Sequence, residues 1–142
     1  MKMINKKEAV HSFTVMPKDC NFNKKITGGY DILFGGQLMY EMDYAGAKVV
    51  RRALYDTETD SFVTASIDRI DFVNPSFNGD IVTMIATIKA LGKSSIQVRL
   101  KVTREDLQGK IEPICSANMT FVGLKEGKPH PHHLNFDDLV TN

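Results

Sequence analysis

Asp43 is the residue whose position most suggests chemistry, because it is a carboxylate inside an apolar pattern. On a helix running from Gln37 to Leu54 it falls between Val50 and Leu54, within the apolar half. An unpaired buried carboxylate is costly, so Asp43 has to be partnered, neutralised or placed at a wet cleft. A helix-edge aspartate that reaches solvent or pairs with a basic neighbour explains the position equally well. Position alone leaves both interpretations open.

Gly35 and Gly36 follow Phe34 immediately before this predicted helix. Glycines admit a ligand close to the main chain, and a helix N-terminus offers N–H donors with a partial positive charge. Such donors stabilise the oxyanion of acyl transfer by roughly 3 kcal/mol each. A plain turn is the commoner meaning of a Gly-Gly pair. Asp43 comes two helical turns later, about 10 Å along the axis, so one substrate can touch both.

The helix itself is predicted from small and apolar residues that recur at about 100° per residue. They are Leu38, Met42, Ala45, Gly46, Val49 and Ala53, with Met39, Val50 and Leu54 along the edge. A glycine in a helix interior costs about 1 kcal/mol of propensity. We therefore expect another element to approach the helix closely at its middle.

Period-2 alternation predicts one strand before the helix and four after it, joined by tight turns. The strands are about Ala9–Met16, Phe62–Val73, Ile81–Leu91, Ile96–Thr103 and Cys115–Phe121; the turns are Asn78-Gly79, Gly92-Lys93 and Gln108-Gly109.

Two of these strands depart from simple alternation. In Phe62–Val73 the apolar residues change face between Ile67 and Ile70, which predicts a bulge near Asp68-Arg69. The strand Ile81–Leu91 is apolar on both faces, which predicts a central or interfacial position. The whole pattern predicts a single α+β domain over residues 1–142, a curved antiparallel sheet wrapped around one long central helix.

The composition of the chain argues against several classes of binding partner. A net charge of +1 with 25% charged residues gives no broad nucleic-acid footprint, and no apolar run reaches signal-peptide or membrane-spanning length. We predict a cytoplasmic protein without nucleic-acid or membrane partners. Cys20 and Cys115 lack zinc-ligand spacing and are predicted to be reduced thiols. The group His130, His132 and His133 is a conceivable metal site, but its prolines and tail position favour a solvated segment.

Four motifs in the same order resemble the hotdog-fold acyl-CoA thioester hydrolases. The first is Phe34-Gly35-Gly36-Gln37-Leu38-Met39-Tyr40-Glu41-Met42-Asp43. The others are Val63-Thr64-Ala65-Ser66-Ile67-Asp68-Arg69-Ile70-Asp71-Phe72, Pro75-Ser76-Phe77-Asn78-Gly79-Asp80 and Leu91-Gly92-Lys93-Ser94-Ser95-Ile96. The end of the chain, from Thr120 to Leu124 and from Gly127 to Pro129, is also similar to the family.

The resemblance implies hydrolysis of acyl-CoA thioesters, with Asp43 as nucleophile or as the base that activates water. It implies that the N–H of Gly35 or Gly36 polarises the thioester carbonyl. Coenzyme A is then part of the substrate, and no separate cofactor is needed. Resemblance of Met16-Pro17-Lys18-Asp19-Cys20-Asn21 to the family's Pro-x-Asp-x-Asn signature implies that Asn21 helps to place water or the carbonyl across a subunit interface.

One departure concerns the residues between this asparagine and the glycine pair. The chain inserts several residues here, Phe22 to Tyr30, so Asn23 or Asp31 is an alternative to Asn21.

For coenzyme A, the resemblance implies contacts from the turn Lys93, Ser94 and Ser95, whose ammonium and hydroxyl groups suit phosphate oxygens. An ordinary exposed hairpin turn is the alternative. Arg69 is a second candidate phosphate ligand, and an ion pair with Asp68 or Asp71 explains it equally well. Lys24 and Lys25 are predicted to be a solvated pair of charges.

Two rival functions use the same fold. A dehydratase or hydratase needs a histidine paired with a carboxylate, for which His11 is the one internal candidate. A non-catalytic acyl-CoA sensor has no need of Asp43.

The predicted fold also bears on the oligomeric state, because a single sheet leaves an unpaired edge strand. The resemblance implies a homodimer with each site built from two chains, assembled further into tetramers or hexamers.

Overall fold

The computed structural model describes residues 4–21 and 31–139. Its strands are β1 (Glu8–Thr14), β2 (Ser61–Phe72), β3 (Ile81–Leu91), β4 (Ser95–Glu105), β5 (Ile111–Lys125) and the short β6 (Lys128–Pro129). One α-helix, α1 (Gly35–Leu54), lies between β1 and β2, and single 3-10 turns occupy Pro17–Asp19 and Phe136–Leu139. Among these described helices, none is long and apolar enough to cross a membrane.

All six strands form one antiparallel sheet in the order β1-β3-β4-β5-β2, with β6 paired to β5. The inward positions of the strands are fully buried, for example Met84, Leu100 and Met119, and they pack on the apolar face of α1. The predicted α+β plan is therefore confirmed. The doubly apolar strand β3 lies inside the sheet between β1 and β4, as predicted.

The glycine pair belongs to the first turn of α1 and does not precede it, which corrects the predicted helix start. Phe34 is the N-cap in an extended conformation, and its carbonyl accepts the N–H of Leu38 at 3.0 Å. The N–H groups of the first helical turn have no carbonyl partner within the helix. Gly35 and Gly36 are exposed, so they present these donors to solvent.

Strand β2 contains two irregularities in its pairing with β5. One lies between Asp68 and Asp71, where Arg69 has a φ of 52°, and it confirms the predicted bulge. The other lies between Thr64 and Ser66 and was not predicted. This extra residue shifts the alternation, so Val63 and Ile67 do not share a face as the sequence pattern suggested.

The two edges of the sheet are protected differently. At the β1 edge, Lys48 Nζ donates to the carbonyl of Val10 at 2.9 Å, and Arg52 Nη1 donates to that of Glu8 at 3.2 Å. These side chains of α1 occupy acceptors that an incoming strand would need. Within the described residues, no side chain makes a corresponding hydrogen bond to the backbone of β2.

The chain after β5 does not form the solvated tail that its prolines suggested. His132 is only 5% exposed and Leu139 is fully buried in the core. Leu134 and Leu139, which follow the histidines and pack on the core, explain the difference, because burial of one leucine contributes about 2 kcal/mol and holds the segment on the domain.

At Gly46 the sheet approaches the helix closely, as the small size of this residue predicted. A Cβ at this position would lie 2.8 Å from Cζ of Phe121, whose ring is 1% exposed. We expect Gly46→Val to lower the free energy of unfolding by about 3 kcal/mol, since overpacking a core costs 1–3 kcal/mol or more. Urea denaturation measures this difference in the free energy of unfolding. Gly36→Ala is the matched control, because its Cβ would have no neighbour within 4 Å, and an equal loss there would disprove the packing argument.

Candidate functional site

Asp43 is partly buried on α1 and points at strand β2. Its Oδ1 accepts a hydrogen bond of 2.6 Å from the hydroxyl of Thr64, which is exposed in the single chain. An ionised carboxylate is acceptor-only and has two oxygens, so this bond fixes the group. Among the described residues none donates to Oδ2, which can therefore accept from a water or a substrate. The carboxylate is thus partnered, oriented and accessible at once.

Thr64 was not singled out from the sequence. Simple alternation placed Val63, Ala65 and Ile67 on the core face of β2, which sends Thr64 to the outside. In the structure Thr64 pairs with Phe121, an inward residue of β5, and the irregularity after it restores Ile67 to the inside. The polar residue on the inner face was the available signal, but only the unexpected bulge reveals its direction.

The start of α1 forms a second group of candidate residues. Asn21 lies here because its main-chain N–H donates to the carbonyl of Ile32 at 2.9 Å, and its Oδ1 accepts the N–H of Ile32 at 3.4 Å. The carbonyl of Asp19 accepts the N–H of Phe34 at 3.0 Å. These bonds hold Asn21 beside Ile32, which precedes Gly35 by three residues in the chain.

A cleft of about 350 Å³ opens beside this helix start, lined by Leu33, Gly35, Leu38, Phe72, Val73, Asn74, Pro75, Ser76 and Ile114. It is mostly apolar, and a Cβ on Gly36 would meet nothing within 4 Å. A ligand therefore has room to reach the N–H donors of the first helical turn.

An ion pair between buried Asp80 and partly buried Arg104 holds the loop that forms one wall of this cleft. Asp80 Oδ2 accepts hydrogen bonds from Ser76 Oγ at 3.0 Å, the N–H of Phe77 at 2.8 Å and Arg104 Nη1 at 3.0 Å. Burial acts to lower the pKa of Arg104, but the hydrogen bonds to Asp80 and Glu112 outweigh it and raise that pKa above its ordinary value. The charge stays on the guanidinium, and the ion pair that ties the wall to β4 is kept.

The structure does not bring Asp43 and the helix start together within one chain. Asp43 lies seven positions after Gly36 in the helix, about 10 Å along the axis. A base and an oxyanion donor that act on one carbonyl have to lie within about 3 Å of the reacting atoms. The candidate residues therefore form two half-sites: Asp43 with Thr64, and Asn21 with Gly35 and Gly36.

The turn that joins β3 to β4 carries the candidate coenzyme A residues. Lys93 is exposed, and Ser94 and Ser95 are partly buried. Arg69 is also exposed, and its Nε donates to Asp71 Oδ2 at 3.3 Å, which is one of the two pairings considered.

Arg69 and Lys93 are not neighbours in one chain. Ser95 is level with Val122 of β5. Arg69 adjoins the β2 position that pairs with Asn118, so the two levels differ by about 13 Å at the rise of a strand. Within one protomer, these two cations do not bind the same phosphate.

Two further sets of residues singled out from the sequence have different outcomes. Asn23, Lys24 and Lys25 lie outside the described residues. His11 does have a carboxylate partner, since its Nε2 lies 2.7 Å from Glu41 Oε2, and both side chains are less than one fifth exposed. This pair lies between β1 and α1, where the ring of Tyr44 also packs at 5.3 Å from that of His11.

One helix packed on an antiparallel sheet is the hotdog arrangement, and solved thioesterases have this fold. An acyl-CoA hydrolase of Staphylococcus aureus, solved with butyryl-CoA and coenzyme A, superposes with a TM-score of 0.74 and 28% identity, over 87% of this chain and 70% of that one. A hexameric thioesterase of Yersinia pestis gives 0.75 and 28%, over 88% and 94%.

Comparison of sequences gives the same class. The profile of the thioesterase superfamily matches residues 30–110, more than half of the 142 residues, and the chain belongs to this superfamily. The uncharacterized acyl-CoA thioester hydrolase YkhA of Bacillus subtilis is 37% identical over 108 residues. These are 74% of this chain and 60% of that protein, so the chain spans less than two thirds of the relative's length.

Proposed function

We propose that this protein hydrolyses acyl-CoA thioesters to a carboxylic acid and coenzyme A. The observation that carries the proposal is the hydrogen bond between Thr64 and Asp43, because it orients one carboxylate and leaves its second oxygen accessible. Structures of the Staphylococcus aureus enzyme include variants with an asparagine, an aspartate or a threonine replaced by alanine. The same three residue types occupy the half-sites here, as Asn21, Asp43 and Thr64.

The chemistry follows from these groups. Asp43 accepts a proton from water, and the resulting hydroxide forms a bond to the thioester carbonyl carbon. The carbonyl oxygen takes up the negative charge, and the N–H of Gly36 or Gly35 donates to it at the helix start. The tetrahedral intermediate then breaks its C–S bond, and the departing sulfur takes the proton held by Asp43, so coenzyme A leaves as the thiol and the carboxylate is restored. Direct attack by Asp43 uses the same residues: the aspartate oxygen bonds to the carbonyl carbon and the C–S bond breaks to release the thiolate of coenzyme A. Water then cleaves the resulting anhydride, which gives the carboxylic acid, the Asp43 carboxylate and a proton that the thiolate takes up.

The distance between the half-sites requires two chains. A carbonyl held at Gly36 is too far from Asp43 of its own chain, so we place the Asp43 and Thr64 of one protomer against the Asn21 and Gly36 of its partner. Phe72 contacts the position of Gly35, and Thr64 contacts Asp43, so opposite ends of β2 mark the two half-sites. Antiparallel pairing of β2 with its own copy brings the Thr64 end beside the partner's Phe72 end.

The edges of the sheet favour this choice of interface. Lys48 and Arg52 occupy the β1 edge, whereas no side chain within residues 4–21 and 31–139 bonds to the backbone of β2. Exposed apolar side chains at the two ends of β2, Val63 and Phe72, would be covered in such a dimer. Further assembly into tetramers or hexamers is in keeping with the hexameric Yersinia pestis thioesterase.

A panel of acyl-CoAs assayed with a thiol reagent tests the proposed hydrolysis and identifies the acyl chain length that the protein prefers. The protein's own thiols contribute little background, because Cys20 and Cys115 are buried. Burial, aided by Asp71, raises the pKa of Cys115 to about 11, and burial also raises that of Cys20. Both remain protonated and unreactive at neutral pH. No thiol release from any acyl-CoA would contradict the proposal.

For Lys93, we propose a contact with a coenzyme A phosphate, and we expect Lys93→Ala to raise KM for acyl-CoA several-fold with little change in kcat. A charge remote from the thioester binds ground state and transition state alike, so only KM responds. Steady-state kinetics at low ionic strength measure this. Lys101→Ala, which removes an exposed lysine of β4, is the matched control. A thioester without the nucleotide should be unaffected, and an equal loss on both substrates would exclude the phosphate contact.

The pair of His11 and Glu41 is the observation that favours a dehydratase as the second candidate. A histidine with a carboxylate at 2.7 Å can move a proton to and from substrate carbon. Against it, Glu41 faces β1, away from the side of α1 that carries Asp43. Absorbance of 2-enoyl-CoA distinguishes the two: loss of the conjugated double bond without thiol release would favour the dehydratase. Binding of acyl-CoA without either reaction would indicate a sensor.

A further inference from the structure

The histidine-rich segment lies across the turn that carries Lys93. The N–H of His130 donates to the carbonyl of Gly123 at 3.0 Å, and the N–H of His132 donates to that of Lys93 at 3.2 Å. His132 is 5% exposed, whereas His130 and His133 are more accessible. One histidine of the three is therefore built into the structure at this turn.

The ring of His132 uses both nitrogens. Its Nε2 lies 3.0 Å from the carbonyl oxygen of Ser95, and its Nδ1 lies 3.0 Å from the main-chain nitrogen of Leu134. A carbonyl oxygen only accepts and an amide N–H only donates. The ring is consequently neutral, with the proton on Nε2, and neither nitrogen is left for a metal ion.

These bonds fix the main chain on both sides of Ser94. His132 holds the carbonyl of Lys93 with its N–H and the carbonyl of Ser95 with its ring, while the carbonyl of Ser94 accepts the N–H of Gly123 at 2.8 Å. All three carbonyls point into the protein. The side chain of Lys93 remains exposed.

We propose that His132 is a positioning residue: it holds the turn Lys93–Ser95 in the conformation that binds coenzyme A. The inference rests on the proposed function, since it takes this turn as the phosphate contact. Ordering a flexible turn on binding costs conformational entropy, and a turn that is already fixed avoids that cost. Leu139, fully buried further along the chain, anchors the tail independently of His132.

Two substitutions separate the two bonds of the ring. His132→Asn keeps an acceptor near Nδ1 for the N–H of Leu134 but cannot reach Ser95. His132→Gln keeps a donor near Nε2 for Ser95. His130→Asn is the matched control, because the ring of His130 contacts Glu58 at 3.3 Å and not the turn.

The readout is coenzyme A affinity by calorimetry together with KM and kcat for butyryl-CoA. We expect His132→Asn to weaken coenzyme A binding and raise KM about five- to tenfold, as loss of one hydrogen bond does, with kcat within about twofold. His132→Gln and His130→Asn should remain within about twofold of the wild-type protein. The KM for an N-acetylcysteamine thioester, which lacks the nucleotide, should not change in any of them.

Hydrogen exchange at Gly92, whose N–H donates to the carbonyl of Ser95 at 2.9 Å, reports on the turn without any substrate. We expect faster exchange in His132→Asn than in His132→Gln. Unchanged exchange and coenzyme A affinity in a folded His132→Asn protein would overturn the positioning role alone. Equal losses on both thioesters would overturn it as well, since that marks general damage. A wild-type protein that neither binds coenzyme A nor releases it would overturn the proposed function, and this role with it.

Discussion

Replacement of Asp43 by asparagine is expected to lower kcat for acyl-CoA hydrolysis by about 10²–10⁴-fold, with little change in KM. The amide has nearly the same shape, and its oxygen still accepts the hydroxyl hydrogen of Thr64, so the local structure is kept. It cannot accept a proton from water or attack a carbonyl. The loss therefore falls on the chemical step, and steady-state kinetics with a thiol reagent measure it.

Two further variants are needed to interpret the Asp43→Asn result. Thr64→Val removes the orienting hydroxyl at constant shape and should lower kcat by about tenfold, less than loss of the carboxylate itself. Asp56→Asn makes the same chemical change at an exposed aspartate that pairs with Lys6, and should leave kinetics unchanged. Near-normal turnover of Asp43→Asn would remove Asp43 from the mechanism. Failure of that variant to fold would favour a structural pairing.

Mixing the inactive variants Asp43→Ala and Asn21→Ala is expected to restore about a quarter of wild-type activity after subunit exchange. Half of the dimers are then mixed, and each mixed dimer has one site with both groups intact and one with neither. The physical reason is the distance of about 10 Å between the half-sites of one chain, which a partner chain has to bridge.

The same mixing experiment distinguishes the alternative arrangement. If both groups of a site came from one chain, every site in a mixed dimer would lack one of them, and activity would stay at the level of the parents. If Asn21→Ala keeps its activity, Gly36→Pro takes its place in the mixture as the variant of that half-site. Proline is tolerated in the first helical turn and removes the N–H that would donate to the thioester carbonyl. A fully active monomer in sedimentation at assay concentration would exclude the two-chain site.

Helix α1 and the candidate base on it were predictable because helical periodicity is a local property of the sequence. The apolar face around Met42 and Val49 is buried as its spacing predicted, and Asp43 stands out as the exception in that pattern. The same applies to β4 and β5, whose alternation gave the buried faces correctly. The bulge near Arg69 was readable too, since it changes the phase of apolar residues within one strand.

Contacts between distant elements were not predictable in the same way. Thr64 reaches Asp43 only because an irregularity between Thr64 and Ser66 turns the threonine inward, and one residue of slip reverses every side chain of a strand. Glu41 became the partner of His11 because β1 packs against the helix face that carries it. No spacing within one segment encodes either pair.

By itself, the sequence determined the class of fold, the central helix and the residue types available for thioester chemistry, because these depend on periodicity and on short motifs. Only the tertiary structure decided where those residues meet. It divided the candidate site into two half-sites, separated Arg69 from Lys93, and turned a predicted solvated tail into a segment that buries His132 against the turn of Lys93. The physical reason is that register, bulges and the burial of a few apolar side chains are settled by the whole domain, whereas helical and strand periods are local.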